Sequence, residues 1–224
     1  MSKLTRRAEF VLNGLTPLFM HADDVDAADL LMGWRKDPKN KTASVPGDDR
    51  SPAWTWQTYW YLDDEGCLTI PSDNLLSCLC YAGGKIPLKK QETLKRLVAS
   101  GIQMPSDFLE FRTNGEKVNV EGFVSNREEP FPAQLKRARE MGFDLDKRRV
   151  TVGTAKHVRI RPKFKSWSLS GELILSSMEF TEERLKMLFE IAGTAGGLGD
   201  WRPSAPKKPG RYGMFEAKVR ILKD

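Results

Sequence analysis

Two apolar runs flank Asn13-Gly14 in EFVLNGLTPLFM, residues 9–20, which reads as an extended segment kinked or bulged at Gly14. TWQTYWYL, residues 55–62, is aromatic-rich strand material, and DDEG then turns the chain into Cys67-Leu68-Thr69-Ile70 to make a hairpin. At Pro71 the period becomes helical. Ser72 is the predicted N-cap of a helix running through DNLLSCLCYA to a stop at Gly83-Gly84. A second helix is predicted over QETLKRLVAS, residues 91–100. Residues 103–146 show only short strand-like pieces among polar turns, with one helix at FPAQLKRAREMG. The pattern sharpens from Val150, where a strand pair leads into a buried strand at 172–176. Thr181 then caps a helix, EERLKMLFEIAGTA, that puts Leu185, Leu188, Phe189 and Ala192 on one face. MFEAKVRIL closes the chain as an alternating strand.

A strand at the start, a helix after a hairpin, and a final strand-helix-strand run imply two split β-α-β halves around an antiparallel sheet. The fold class is therefore α+β, with a ferredoxin-like (RRM-like) β-α-β-β-α-β core, inserted loops and a basic β-ribbon. One domain spans residues 1–224, with insertions around 35–52 and 103–146. The first insertion is polar and rich in Lys, Asp, Pro and Gly, which predicts a mobile loop.

Composition narrows the class only slightly. With 40% apolar and 29% charged residues the chain is globular, and its net charge of +6 suits a polyanionic partner. The three cysteines, Cys67, Cys78 and Cys80, form no CxxC, so neither a disulfide framework nor a zinc site is expected. The basic start is followed by a run broken at Asn13, Gly14 and Pro17, which does not read as a signal peptide, and no run is long enough to span a bilayer. A cytoplasmic protein without cofactor or metal is expected, with no membrane partner.

GGLGDWRP, residues 196–203, raises the question of what its backbone approaches. A P-loop places its glycines after a strand and before a helix, and here the order is reversed. The dinucleotide fingerprint lacks its third glycine, and Pro203 and Pro206 forbid the helix that should follow. Two readings stay open. Exposed amides flanked by Trp201, Arg202, Lys207, Lys208, Arg211 and Tyr212 suit a sugar-phosphate backbone with bases stacked on rings. Alternatively, the glycines end a helix and pack it tightly on the sheet.

Helix, GGLGDWRP, basic spacer and GRYGMFEAKV together resemble the C-terminal glycine-rich signature of the RAMP superfamily, the ferredoxin-like RNA-binding proteins of CRISPR effector complexes. The likeness covers about the last quarter of the chain, with weaker support from FVLNGLTPLFMH. It implies an RNA-binding backbone subunit of an antiviral defence complex, or a phage or prophage relative. The loop role it carries falls on Gly197, Gly199, Trp201, Arg202, Arg211 and Gly213, beside RNA or a neighbouring subunit.

Independent of the resemblance, residues 147–165 hold eight Lys or Arg and no acid. Arg159, Arg161, Lys163 and Lys165 alternate with apolar residues, so an extended ribbon puts them on one face about 6.6 Å apart. Such a row repels itself and favours a neighbouring polyanion, although a solvated strand face is the plain alternative. With Lys156 and His157, these residues make the candidate nucleic-acid face; His157 is read as a further polar contact. Trp54, Trp56 and Trp60 share one face of the predicted strand, Tyr59 and Tyr61 the other, and one face must be core.

Catalytic signals are sparse. Asp23, Asp24, Asp26 and Asp29 lie beside His21 and could hold Mg²⁺, which with the resemblance makes Asp23, Asp24, Asp26 and His21 candidate ribonuclease residues. The alternative is an acidic helix start with Asp23 or Asp24 as N-cap. The leading expectation is a non-catalytic protein binding RNA or another single strand, as a homo-oligomer or ribonucleoprotein subunit. A ribonuclease and a phage or prophage assembly protein with an acidic protein partner are the alternatives.

Overall fold

The computed structural model describes residues 5–43, 45 and 47–223; the basic start at 1–4 and positions 44 and 46 of the polar loop lie outside them. In chain order the first elements are β1 (Arg6–Gly14), β2 (Leu18–Phe19), α1 (Val25–Lys36), a 3-10 turn (Pro38–Asn40), a 3-10 helix (Thr55–Tyr59) and β3 (Thr69–Pro71). Next come α2 (Ser72–Gly83), β4 (Pro87–Lys89), β5 (Glu92–Thr93), α3 (Lys95–Gly101), β6 (Ile102–Gln103) and β7 (Phe108–Thr113). α4 (Glu121–Ser125), α5 (Phe131–Glu140), β8 (Asp144–Val152), β9 (Ala155–Phe164) and β10 (Trp167–Leu175) follow. α6 (Glu182–Ile191), a π-helical turn (Ala192–Gly196) and β11 (Phe215–Ile221) complete the chain. The class is α+β with antiparallel sheets.

Two compact units divide these elements. The first holds residues 1–18, 69–117 and 165–224; the second holds 19–68 and 118–164. Of the predicted insertions, 35–52 falls in the second unit, while 103–146 is shared, with 103–117 in the first.

In the first unit the sheet order is β11-β1-β10-β7-β3, each neighbouring pair antiparallel, and β6 also joins β10. Alternation turns Ala8, Phe10 and Leu12 of β1 inward, with Leu169, Leu173 and Leu175 of β10 and Leu109 and Phe111 of β7. These side chains pack with Leu75 and Leu79 of α2 and Leu185, Leu188 and Phe189 of α6, all buried. The Phe10 and Phe189 rings stand 5.6 Å apart. Phe10 faces Gly171 across the ladder, where a Cβ would lie 2.8 Å from its ring. Thr181 Oγ1 accepts from the Arg184 amide at 3.2 Å, so α6 starts where its cap requires. The break at Gly14 has a similarly local cause: β1 ends there, and Trp167 lies against it while donating to the Thr16 carbonyl at 2.8 Å.

In the second unit the sheet order is β2-β9-β8. Its core is aromatic: Trp56 stacks edge-on against Trp60 and Phe123 at 5.2 and 5.1 Å, and Phe143 bridges Phe123 and Phe164 at 5.8 and 5.2 Å. Trp56 Nε1 donates to Gln134 Oε1 at 2.6 Å, which satisfies the indole inside that core.

Four expectations change. Residues 55–59 are a 3-10 helix and not a strand. Thr55 and Thr58 hydroxyls donate to carbonyls three residues back, at 2.8 and 2.7 Å, and this local bonding outweighs aromatic β-propensity. The helix predicted at 91–100 begins at Lys95, because Glu92–Thr93 pairs back on Pro87–Lys89. The ribbon starts at Asp144, six residues before Val150, and Ser72 is the first residue of α2, with Pro71 at its N-cap.

A Cβ on Gly193 would meet the Phe215 carbonyl oxygen at 2.0 Å, whereas Gly33 on α1 has nothing within 4 Å. Gly193→Ala is therefore expected to lower the melting temperature by roughly 5 °C or more, and Gly33→Ala to leave it equal or higher. Differential scanning calorimetry of both variants checks the contrast.

Candidate nucleic-acid interface

The ribbon folds as expected, but its charge does not stand alone. Register places Asp146 opposite Arg161 and Arg148 opposite Arg159. Two arginines directly across a ladder repel each other, and each is taken up by its own acid. Arg148 meets Asp146 at 2.5 Å, Lys163 lies 4.0 Å from the same carboxylate, and Arg159 Nη1 donates to Asp49 Oδ1 at 2.6 Å. Arg161 is buried, at 8% exposure. In the row expected at Arg159, Arg161, Lys163 and Lys165, Arg159 and Lys163 are thus ion-paired, Arg161 is buried, and only Lys165 is exposed. The sequence holds no acid between 147 and 165; the fold supplies Asp146 from the strand end and Asp49 from the polar loop.

Asp49 is the residue sequence reasoning missed. It has 0% exposure, and its second oxygen accepts from the Ile160 amide at 3.0 Å. Its own amide donates to the Val158 carbonyl at 3.0 Å, and Val158 donates back to Gly47 at 3.0 Å. The loop predicted to be mobile is fastened to β9 here. No local signal could have found Asp49, since its partner is 110 positions away. Tyr59 joins the group: burial first, and the Asp49 carboxylate second, push its phenol up to about 12.

His157 is half-buried with its Nδ1 enclosed, and a Cβ on Gly47 would sit 1.8 Å from that atom. It is a packing contact against the loop. Lys156 is exposed, as are Lys147 and Arg149, so the ribbon keeps solvent-facing cations on both strands.

In the first unit the glycine-rich loop answers its own question: what approaches the backbone is the same chain. The Gly197 amide donates to Ala192, Leu198 to Gly213, Ser204 to Gly196, and Gly213 to Pro17. Gly197 and Gly213 are buried with φ of +74° and +67°, and a Cβ on Gly213 would lie 1.8 Å from the Leu198 oxygen. Gly199 is half-buried. Arg202 donates to the Gly199 carbonyl at 3.0 Å and to Ser204 Oγ at 3.1 Å, bracing the loop from within. Cys78 Sγ donates to Ala192 at 3.4 Å, and burial pushes its thiol up to about 12, so it is a protonated strut at neutral pH.

On this brace stand the groups that face solvent. Lys207, Lys208 and Arg211 are exposed, and Arg211 lies 5.8 Å over the Tyr212 ring. Trp201 is half-buried at φ +54°, a left-handed conformation costly for an aromatic residue, with its ring 6.3 Å from Tyr212.

Alternate positions of the first unit's sheet carry balanced charge: Arg7 pairs with Glu172, Arg220 with Glu9 at 2.6 Å, and Arg112 with Glu110 at 2.7 Å. The aromatic cluster is core, with Trp54, Trp56 and Trp60 all buried. Among the acidic candidates one has a structural role. Asp24 caps α1, its Oδ1 accepting from the Ala27 amide at 2.9 Å, while Asp23 and Asp26 are exposed. His21 is exposed and packs edge-on against Tyr59 at 4.6 Å. No helix among the described residues is long and apolar enough to cross a membrane. No family model and no curated protein matches the chain.

Removing the Asp49 carboxylate strands a largely enclosed guanidinium. Asp49→Ala and Asp49→Asn are both expected to cost about 3 kcal/mol in urea unfolding; equality of the two would locate the effect in charge rather than volume. Tyr59 gives a pH signature. The fold favours the neutral phenol, so its contribution is complete below about pH 10 and lost as pH rises to about 12. The stability difference between the native chain and Tyr59→Phe should stay constant to pH 10 and shrink above it.

Proposed function

We propose that the protein is a non-catalytic RNA-binding, or more generally single-strand-binding, protein of RAMP type, acting as a repeating subunit along its strand. The supporting fold feature is the β11-β1-β10-β7 order with α2 after β1 and α6 after β10, which is the arrangement a ferredoxin-like β-α-β-β-α-β core requires. The glycine-rich segment that resembles RAMP proteins lies where that core would place it, between α6 and the last strand.

One observation carries the reading. A loop braced by its own amides holds Lys207, Lys208 and Arg211 in solvent beside Tyr212 and a left-handed Trp201. Cations spaced along a rigid loop neutralise phosphates, and adjoining rings accept bases by stacking; neither requires a particular sequence. Lys147, Arg149 and Lys156, exposed along the ribbon, provide a second group of the same chemistry. Arg159 and Arg161 are assigned to stability, because their charge is engaged or buried.

The test is fluorescence anisotropy with a labelled single-stranded oligoribonucleotide over a salt series. Binding should weaken linearly in log-log form, and Lys207→Glu/Lys208→Glu/Arg211→Glu should flatten the slope by about 2, at about 0.7 per lost phosphate contact. Absence of low-salt binding, or the same slope in that variant, overturns the proposal.

A further inference from the structure

Helix α1 is amphipathic in sequence, yet none of its twelve residues is buried. Val25, Ala28, Asp29 and Met32 recur at i, i+3, i+4 and i+7, the spacing by which a helix lies in a groove, and all four are exposed. Val25 is 74% exposed and Met32 44%. Apolar surface of this kind, on an ordered helix with a satisfied N-cap, is unusual unless something covers it. Its charge is one-sided: Asp23, Asp24, Asp26 and Asp29 precede the first base at Arg35, and none of these acids has an ion pair among the described residues.

The first unit carries a surface of opposite sign. Between α3 and the β4–β5 hairpin lies an open groove of about 660 Å³, with Leu88, Leu97 and Ala99 supplying apolar walls and Lys95 and Arg96 its edge. Lys89 and Lys90 extend the basic rim along the hairpin, against one acid, Glu92. All of these charged groups are exposed, and none of the four cations is ion-paired among the described residues. An acidic helix with protruding Val and Met is thus matched by a basic groove with apolar walls, both on one chain.

We propose that α1 of one copy docks in the α3–hairpin groove of a second copy. Helix and groove are different surfaces, so the contact is heterologous: each copy keeps a free helix and a free groove, and association continues head to tail. Asp26 and Asp29 face Lys95 and Arg96, while Val25 and Met32 enter between Leu88 and Leu97. This deepens the repeating-subunit part of the proposed function and needs no nucleic acid, so its failure leaves RNA binding standing.

Sedimentation velocity without nucleic acid tests it, at rising concentration in low salt. The native chain should self-associate in a concentration- and salt-dependent way. Asp26→Lys/Asp29→Lys and Lys95→Glu/Arg96→Glu should each weaken association at least about tenfold, since each sets like charges across the contact. Mixing the two variants restores opposite charges at every junction and should restore association. Val25→Ser/Met32→Ser, which leaves charge untouched, should weaken it as well; circular dichroism confirms that the variants fold. A native chain that stays monomeric, a groove variant that associates like the native chain, or a folded mixture that fails to recover overturns the proposal.

Discussion

A carboxylate with no access to water must find its hydrogen bonds inside the protein, and Asp49 meets that demand with one guanidinium and one amide of the same strand. The pair sets much else in the second unit. It holds the loop before the 3-10 helix against β9, and it gives Arg159, which faces Arg148 across the ladder, a carboxylate partner. It also fixes the surroundings of Tyr59. Because Asp49 and Asp146 engage Arg159, Arg148 and Lys163, the ribbon cations left in solvent with no ion pair among the described residues include Lys147, Arg149 and Lys156.

A comparable economy shapes the first unit. Three glycines between α6 and β11 let backbone approach too closely for a side chain, Gly193 at Phe215, Gly210 at Trp201 and Gly213 at Leu198, and the loop is tied together by its own backbone bonds. Of the two readings left open by the sequence, packing describes the glycines: the amides of Gly197, Leu198 and Gly213 are bonded within the chain, and what faces solvent is Lys207, Lys208 and Arg211.

Much of the first unit could be seen in the sequence, because its signals are local. Thr181 with the Leu185, Leu188 and Phe189 stripe set α6, and the Gly83-Gly84 stop set the end of α2. β7 is one of the short strand-like pieces of 103–146: FLEFRT alternates Leu109, Phe111 and Thr113 inward with Glu110 and Arg112 outward, a period-2 pattern set among polar turns. The second unit was less legible, since long-range partners decide it. Trp54, Trp56 and Trp60 were identified as sharing a face, but the threonines that coil their backbone act through hydroxyl bonds that propensity does not weigh. Alternation placed the ribbon's cations on one face, yet their acids lie one strand away or 110 positions back. A charge count within a segment cannot see either.

The central claim is that this chain carries single-stranded nucleic acid. The ultraviolet spectrum of the protein purified at low salt, taken across its highest-mass chromatographic peak before and after ribonuclease treatment, tests it most directly. The account predicts 260 nm absorbance in excess of the protein's own, removed by ribonuclease together with a fall in mass. A protein-only spectrum in every peak, unchanged by the enzyme, would contradict it.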